Sequence, residues 1–152
     1  MYFIIIAFIF VVDQLTKYLI LFNMVPGQSI PIIEGFFHLT FVRNTGAAFS
    51  NFQGQRWGLV FITSIVLCVL VVFFVRRIHQ EHWSLLLAIS LIIGGGAGNL
   101  LDRIRLGYVV DMFDFQIWPV FNVADMAVVV GCGFLILNIM WLGRNRENKG
   151  KN

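Results

Sequence analysis

Four long runs of apolar residues dominate the chain, and each is long enough to cross a bilayer. They cover residues 2–22, 57–75, 83–101 and 121–142. A membrane-spanning helix needs roughly 20 mostly apolar residues. The pattern therefore predicts an α-helical integral membrane protein, a single domain with four transmembrane helices.

The segments between these runs carry a different pattern, typical of strands and turns. Residues 23–56 contain prolines and glycines, and residues 36–42 are aromatic and β-branched, which favours a β-strand. Residues 108–115 alternate loosely and favour a short extended segment. We predict a small β-rich segment between the first two helices, lying on the membrane surface with its aromatic side chains against lipid.

Composition supports the membrane class and argues against nucleic acid as a partner. The chain is 59% hydrophobic and only 12% charged, and its mean hydropathy is +0.83. An ordinary globular domain is about 45–50% apolar. The net charge of +3 comes from scattered Lys and Arg residues, and no basic face is interleaved with aromatic residues.

The distribution of basic residues predicts the orientation in the membrane. Four spans put both termini on one side, together with the loop 76–82 and the tail 143–152. That side holds six Lys and Arg residues and the other side holds five, so the positive-inside rule makes it cytoplasmic. Residues 23–56 and 102–120 are then extracytoplasmic. The six are Arg76, Arg77, Arg144, Arg146, Lys149 and Lys151.

Polar residues gather near the outer ends of the predicted helices, most densely between residues 94 and 125. Such groups are costly at membrane depth and are usually retained for function. Asp13 and Lys17 are four residues apart on the first helix, so they share a face and can pair. That face should point into the bundle or towards the site. The denser stretch contains Asn99, Asp102, Arg103, Arg105, Asp111, Asp114, Asn122 and Asp125.

Two of these acids suit peptide hydrolysis. Asp111 precedes the fourth span and Asp125 lies about one turn inside it, so a strand that returns over the helix start brings them together. Two carboxylates in contact share a proton. The ionised member can take a proton from water while the protonated member hydrogen-bonds the attacked carbonyl. The positive end of the helix dipole favours a negative charge on Asp125.

Other interpretations remain open from the residues alone. Clustered acids such as Asp102, Asp111 and Asp114 could hold Mg²⁺ in a phosphotransferase, or acids could line an ion path in a small transporter. The polar residues could also serve only as helix caps and interhelical hydrogen bonds. The small residues 94–98 suit either the approach of a substrate helix or packing between the chain's own helices. The turn at 43–49 suits a close approach to a ligand, or it is an ordinary loop.

Taken together, the polar blocks resemble the lipoprotein signal peptidase family (signal peptidase II) of bacteria. Five blocks match in order and span most of the chain, and the four-helix layout and the length also fit. Met112 stands where the family often has Phe. The blocks are DQLTK at 13–17, RNTGAAF at 43–49, GGAGNLLDR at 95–103, VVDMF at 109–113 and FNVAD at 121–125.

The resemblance implies an aspartyl endopeptidase of the bacterial inner membrane with its active site at the outer face. Its substrate would be a prolipoprotein with a diacylglyceryl-modified cysteine, cut just before that cysteine. No metal or cofactor is implied, and globomycin-type cyclic peptides would inhibit it. Asp111 and Asp125 would be the catalytic pair. The residues lining or supporting the site would be Asp13, Lys17, Arg43, Asn44, Gly98, Asn99, Asp102, Arg103 and Asn122.

Overall fold

A computed structural model of the chain describes residues 1–46 and 56–149, and this part contains four long helices. They are α1 (Tyr2–Asn23), α2 (Arg56–Arg77), α3 (Trp83–Arg105) and α4 (Val123–Lys149). Each is long and apolar enough to cross a membrane, α4 through its portion Val123–Trp141. The predicted class, an α-helical membrane protein with four spans, is confirmed.

Helix α3 is the centre of the bundle and packs against the other three helices. Its glycines allow this close packing. A Cβ atom at Gly94 would lie 3.0 Å from the backbone oxygen of Ile6 in α1, and one at Gly95 would collide with the backbone oxygen of Ala124 in α4. Small residues let helix backbones approach closely within a bilayer. Of the two interpretations of residues 94–98, packing between the chain's own helices accounts for these two glycines.

The β-rich segment forms one sheet from two separate parts of the chain. Strands β1 (Ser29–Ile33) and β2 (Phe37–Asn44) follow α1, and β3 (Val109–Asp114) follows α3. The strands are antiparallel in the order β1-β2-β3. In the register of the second pair, Val42 lies opposite Asp111. The link from α3 to α4 therefore completes a sheet begun by the segment between α1 and α2.

The sheet is anchored to one end of the helix bundle by a small apolar core. Phe41, Val110 and Met112 from the sheet pack with Ile20 and Met24 at the end of α1. We call this the sheet end of the bundle. There α1 and α3 end, and α2 and α4 begin.

A second apolar cluster closes the opposite end of the bundle. Phe74 of α2 packs there with Leu86 and Ile89 of α3. Its ring also makes edge-on contacts with Tyr2 and Phe3 of α1, with ring centroids 6.2 Å and 5.3 Å apart. The two clusters hold the bundle together at its two ends.

Several helix ends differ from the predicted positions: α2 ends at Arg77 and α4 at Lys149, later than predicted, and two further differences lie near the polar residues. Helix α3 continues past residue 101 to Arg105, so Asp102 and Arg103 lie on its last turns and not in a connecting loop. Close packing on both sides overrides the low helix propensity of the glycines. The chain leaves the helix before Gly107, whose φ is +85°. Helix α4 begins two residues later than predicted, at Val123. Residues 47–49 of the predicted 43–49 turn lie outside the described residues.

Candidate active site

The polar residues singled out from the sequence converge at the sheet end. Several are almost fully buried there, which is unusual for charged side chains unless they are paired. Exposure is 0% for Asp13, 1% for Lys17, 3% for Asp102, 1% for Asp111 and 0% for Asn122.

Asp111 lies on β3 and is held by two side-chain amides. Asn44 Nδ2, from the neighbouring strand β2, donates to Asp111 Oδ2 at 2.9 Å, and Asn122 Nδ2 donates to Asp111 Oδ1 at 2.6 Å. Burial raises the pKa of the Asp111 carboxyl to about 6, against the opposing effect of the Asn44 hydrogen bond, and the negative charge of Asp125 raises it further. This carboxyl can therefore hold a proton close to neutral pH.

Asp125 lies in the first turn of α4 and is oriented by a reciprocal cap. Its backbone N–H donates to Asn122 Oδ1 at 2.9 Å, and the Asn122 N–H donates back to Asp125 Oδ2 at 3.3 Å. This is the geometry of a capping box, built here from Asn and Asp. Asn99 Nδ2 donates to the other oxygen, Asp125 Oδ1, at 2.8 Å. The side chain is partly exposed, unlike Asp111.

Asn122 bridges the two acids. Its side-chain amide contacts Asp111, and both its backbone N–H and its side-chain oxygen contact Asp125. Its Nδ2 also lies 3.2 Å from Asn99 Oδ1. One asparagine thus fixes both carboxyl groups relative to the start of α4.

Lys17 is buried and links three other polar residues of the network. Its ammonium group contacts Asp13 Oδ2 at 2.8 Å, Asp102 Oδ2 at 3.0 Å and Asn99 Oδ1 at 2.9 Å. The three contacts match the three donors of an ammonium group. The predicted pairing of Asp13 with Lys17 is present, and it faces the interior of the bundle. By occupying Asn99 Oδ1, Lys17 leaves Asn99 Nδ2 to face Asp125.

The two acids beside Lys17 each hold the backbone next to one of the candidate catalytic acids. Asp102 Oδ2 accepts a hydrogen bond from the N–H of Val110, the residue before Asp111, at 3.1 Å. Asp13 Oδ1 accepts one from the N–H of Ala124, the residue before Asp125, at 2.9 Å. The buried charges therefore connect α1 and α3 to both backbone segments that carry the pair.

Gly98 makes room for this arrangement. A Cβ atom at Gly98 would collide with the carboxylate of Asp13. Its predicted role as a site-supporting residue thus has a steric basis, because only glycine leaves space for the acid at this point of α3.

The two predicted arginines occupy different places. Arg103 lines a cavity of about 250 Å³ between α2, α3 and α4, together with Asn99. Its Nε is buried and has no hydrogen-bond partner among the described residues. Arg43 is exposed on β2, with its guanidinium 5.1 Å from the centre of the Tyr108 ring. In the described part of the chain, Arg43 has no hydrogen bond to either candidate catalytic acid.

A second cavity meets Asp125 from the other side of α4. It measures about 340 Å³ and is almost entirely apolar apart from the carboxylate. Its lining consists of Trp118, Phe121, Asp125, Met126, Val129 and Val130. A larger groove of about 460 Å³ follows α2 toward Arg76 and Arg77, at the opposite end from the acids. We place the chemistry at the two smaller cavities because their linings include Asp125 and Asn99 of the polar network.

Two residues of this region were missed by the sequence interpretation. Gln14 Nε2 lies 3.1 Å from Asp102 Oδ1 and 3.2 Å from Asp13 Oδ2, so it orients both acids. Arg56 was considered only as one of the five basic residues on the side opposite the termini. Its side chain instead donates to the backbone oxygens of Arg103 and Ile104. For Gln14, the signal available in the sequence was its position directly beside Asp13.

Asp114 is separate from the candidate pair. Thr40 Oγ1 donates to Asp114 Oδ2 at 2.7 Å, and the N–H of Gln116 donates to Asp114 Oδ1 at 2.9 Å. These contacts belong to the sheet and the following turn. Within residues 1–46 and 56–149, no group of three or more His, Cys, Asp or Glu residues has the spacing to hold a metal ion.

Comparison with known proteins gives consistent matches over nearly the whole chain. A family model described as signal peptidase (SPase) II matches residues 5–141. The chain is 45% identical over 137 residues to the lipoprotein signal peptidase of Halothermothrix orenii, covering 90% of this chain and 93% of that protein. It is 44% identical over 146 residues to the lipoprotein signal peptidase of Desulfitobacterium hafniense, covering 95% of each.

Solved structures agree with this assignment. One bacterial membrane enzyme, determined at 2.3 Å resolution, superposes with a TM-score of 0.87 and 35% identity, covering 95% of this chain and 90% of that one. A second, determined at 1.9 Å resolution, superposes with a TM-score of 0.83 and 36% identity, covering 91% of each. Sequence and fold therefore point to the same group of membrane enzymes.

Proposed function

The chain belongs to the signal peptidase II family, a family of membrane peptidases that process prolipoproteins, and from this premise we propose that it cleaves with an aspartic dyad formed by Asp111 and Asp125. The substrate is a prolipoprotein whose cysteine carries a diacylglyceryl group. The cut falls just before that cysteine and releases the signal peptide.

The observation that carries this proposal is the bridge made by Asn122. It contacts both carboxyl groups, one deeply buried and one partly exposed. Different environments push two acids toward different protonation states, which is what an acid and base pair needs. Asp111, with its pKa raised to about 6, is suited to hold the proton. Asp125 receives hydrogen bonds from Asn99 and from the Asn122 backbone, which favour a negative charge.

The reaction then follows without a covalent intermediate. The Asp125 carboxylate takes a proton from a water molecule, and the water oxygen attacks the carbonyl carbon of the scissile peptide bond. Asp111 donates its proton to the carbonyl oxygen, giving a neutral tetrahedral diol. Asp125 next passes its proton to the departing nitrogen, and the C–N bond breaks. Asp111 recovers a proton from the diol as the new carboxyl group forms.

The two cavities beside α4 suit the two apolar parts of such a substrate, its signal helix and its diacylglyceryl group. The cavity between α2, α3 and α4 is lined mostly by aliphatic side chains, and α3 contributes Asn99 and Arg103 to its floor. Those two side chains are suited to bind backbone carbonyl oxygens of an extended peptide. A substrate anchored in the bilayer can enter laterally between helices without leaving the lipid. Globomycin-type cyclic peptides would compete for the same space.

The proposed orientation puts the sheet end at the outer face of the bacterial cytoplasmic membrane, with both termini in the cytoplasm. Large apolar side chains are exposed near this end, among them Phe36 at 53%, Ile117 at 89% and Trp118 at 69%. Aromatic residues with such exposure are typical of membrane interfaces. A site at this depth has access both to lipid-anchored substrate and to the water that hydrolysis consumes.

The decisive experiment measures cleavage of a purified diacylglyceryl-modified prolipoprotein. Wild-type, Asp111→Asn, Asp125→Asn and Asp114→Asn proteins are compared with and without EDTA, and mass spectrometry identifies the new N-terminus. We expect both dyad variants to lose about 10²–10⁴-fold in rate, the usual contribution of an acid or base. Asp114→Asn is the matched control, since this acid lies on the same strand but binds Thr40. It should keep wild-type activity.

The outcomes separate the possible mechanisms. A folded Asp111→Asn or Asp125→Asn protein with near wild-type rates would remove that residue from the chemistry. Inactivity of the wild-type protein only when EDTA is present would replace the dyad with a metal-dependent mechanism. A product that begins elsewhere than at the modified cysteine would refute the proposed cleavage site.

A further inference from the structure

Arg56 is not only a positive charge at the membrane surface, because its side chain makes specific contacts with the end of α3. It is the first residue of α2, and its Nε donates to the backbone oxygen of Arg103 at 2.7 Å. Its Nη2 donates to the backbone oxygen of Ile104 at 2.5 Å. These carbonyls belong to the last turn of α3, where backbone oxygens lack partners within the helix and a positive charge is favoured. The guanidinium also lies 4.9 Å from the ring of Trp57.

Helix α2 has few other attachments near its sheet end. Its one buried residue is Phe74, at the opposite end of the bundle. Within the described part of the chain, Arg56 supplies the side-chain hydrogen bonds that join α2 to another helix. The remaining contacts with α3 are apolar, such as Leu67 against Gly96. Inside lipid there is no hydrophobic driving force between helices, so their association depends on van der Waals packing and on interhelical hydrogen bonds such as those of Arg56.

The position of this end of α2 determines the shape of the cavity beside the dyad. That cavity has α2 residues on one wall, such as Ile62 and Val66, and Val128 of α4 on the other. Helix α3 forms its floor and contributes Asn99 and Arg103. Since Arg56 binds the backbone of Arg103 itself, it joins the α2 wall to the α3 floor at the level of the candidate site.

We propose that Arg56 is a positioning residue that holds the sheet end of α2 on α3 and thereby sets the opening through which the substrate's signal helix reaches the dyad. The inference rests on the proposed function for its effect on cleavage, but not for its effect on structure. Loss of these bonds lets the two walls separate. Substrate then binds less tightly, while the acids, which are held by α1, α3 and α4, keep their geometry.

The kinetic test compares Arg56→Met, Arg56→Lys and a control, Arg105→Met. Arg105 is exposed at the same end of α3, and no hydrogen bond of its side chain is found among the described residues. For Arg56→Met we expect KM to rise about tenfold, as expected for loss of a hydrogen bond from a charged donor, with kcat within about threefold of wild type. Arg56→Lys keeps the charge and reaches one carbonyl, so its KM should lie between those of the wild-type protein and Arg56→Met. Arg105→Met should match wild type.

A distance measurement tests the structural part without any substrate. In a background with Cys68 and Cys132 replaced by Ser, spin labels are placed at Phe61 on α2 and Val129 on α4. Both are exposed, and each is next in sequence to a residue that lines the opening, Ile62 and Val128 respectively. A second pair at Val75 and Ile139 reports on the opposite end. In Arg56→Met the first distance distribution should lengthen or broaden, and the second should stay as in wild type.

Several results would overturn the inference. Unchanged spin-label distances at the sheet end would show that Arg56 does not hold α2. Equal changes at both ends would indicate general loss of structure. A fall in kcat with unchanged KM would assign Arg56 to the chemical step. If the wild-type protein failed to cleave prolipoprotein, the proposed function would fail, yet the distance measurements would still decide whether Arg56 holds α2.

Discussion

The protonation of Asp111 gives the sharpest test of the proposed mechanism, through the substitution Asn44→Leu. In the wild-type protein, burial raises the pKa of Asp111 to about 6. If the protonated form is required, kcat/KM falls as pH rises through about 6, because this parameter follows the free enzyme. The Asn44 Nδ2 hydrogen bond to Asp111 Oδ2, 2.9 Å long, opposes protonation. Leucine fills a similar volume and cannot donate.

The size of the effect follows from the strength of that bond. A hydrogen bond to a charged group contributes about 1.5–3 kcal/mol. Part of it survives in the protonated state, and 1.36 kcal/mol corresponds to one pH unit. Removal of the donor destabilises the carboxylate relative to the acid, so the pKa of Asp111 rises. The alkaline limb of kcat/KM should therefore move up by about one pH unit.

The assay is a series of initial rates of prolipoprotein cleavage at low substrate concentration, from about one pH unit below the alkaline limb near pH 6 to about three units above it. Thr40→Val is the matched control. It removes a 2.7 Å hydrogen bond on the same strand, but that bond goes to Asp114. The quantity compared is the pH at which the alkaline limb of kcat/KM lies. The absolute rate is not compared, because loss of a side chain can lower it for other reasons. A limb that stays in place in Asn44→Leu, or moves to lower pH, refutes the assignment of the proton to Asp111.

Two further substitutions test the support beneath the dyad. Gly98→Ala places a methyl group against the buried carboxylate of Asp13, so we expect loss of activity and a lower thermal midpoint in detergent. Gly133→Ala is the control, because its added carbon meets nothing within 4 Å, and it should retain both activity and midpoint. Equal behaviour of the two variants would contradict the steric argument. Lys17→Met leaves two buried acids without their cation and should cost about 3–5 kcal/mol of unfolding free energy. Arg77→Met breaks a largely exposed 3.9 Å pair with Glu81 and should cost less than about 1 kcal/mol. Similar midpoints for these two variants would refute the importance of the buried network.

The sequence alone determined the features that depend on local pattern. Hydropathy identified four spans because a helix that crosses lipid must be predominantly apolar over about 20 residues. The four-residue spacing of Asp13 and Lys17 placed them on one helix face, and they form a 2.8 Å ion pair. Ordered polar blocks identified the family before any contact was known. Each of these inferences uses residues that are neighbours along the chain.

Tertiary structure decided the features that depend on distant parts of the chain. The pairing of β2 with β3 brings Asn44 to Asp111 across 67 positions. The same folding buries Asp111 and leaves Asp125 partly exposed, and this difference in environment separates their proposed roles. The hydrogen bonds of Arg56 to the end of α3 also span almost 50 positions. No local period encodes such contacts, because they arise only when packed helices and strands place the groups together.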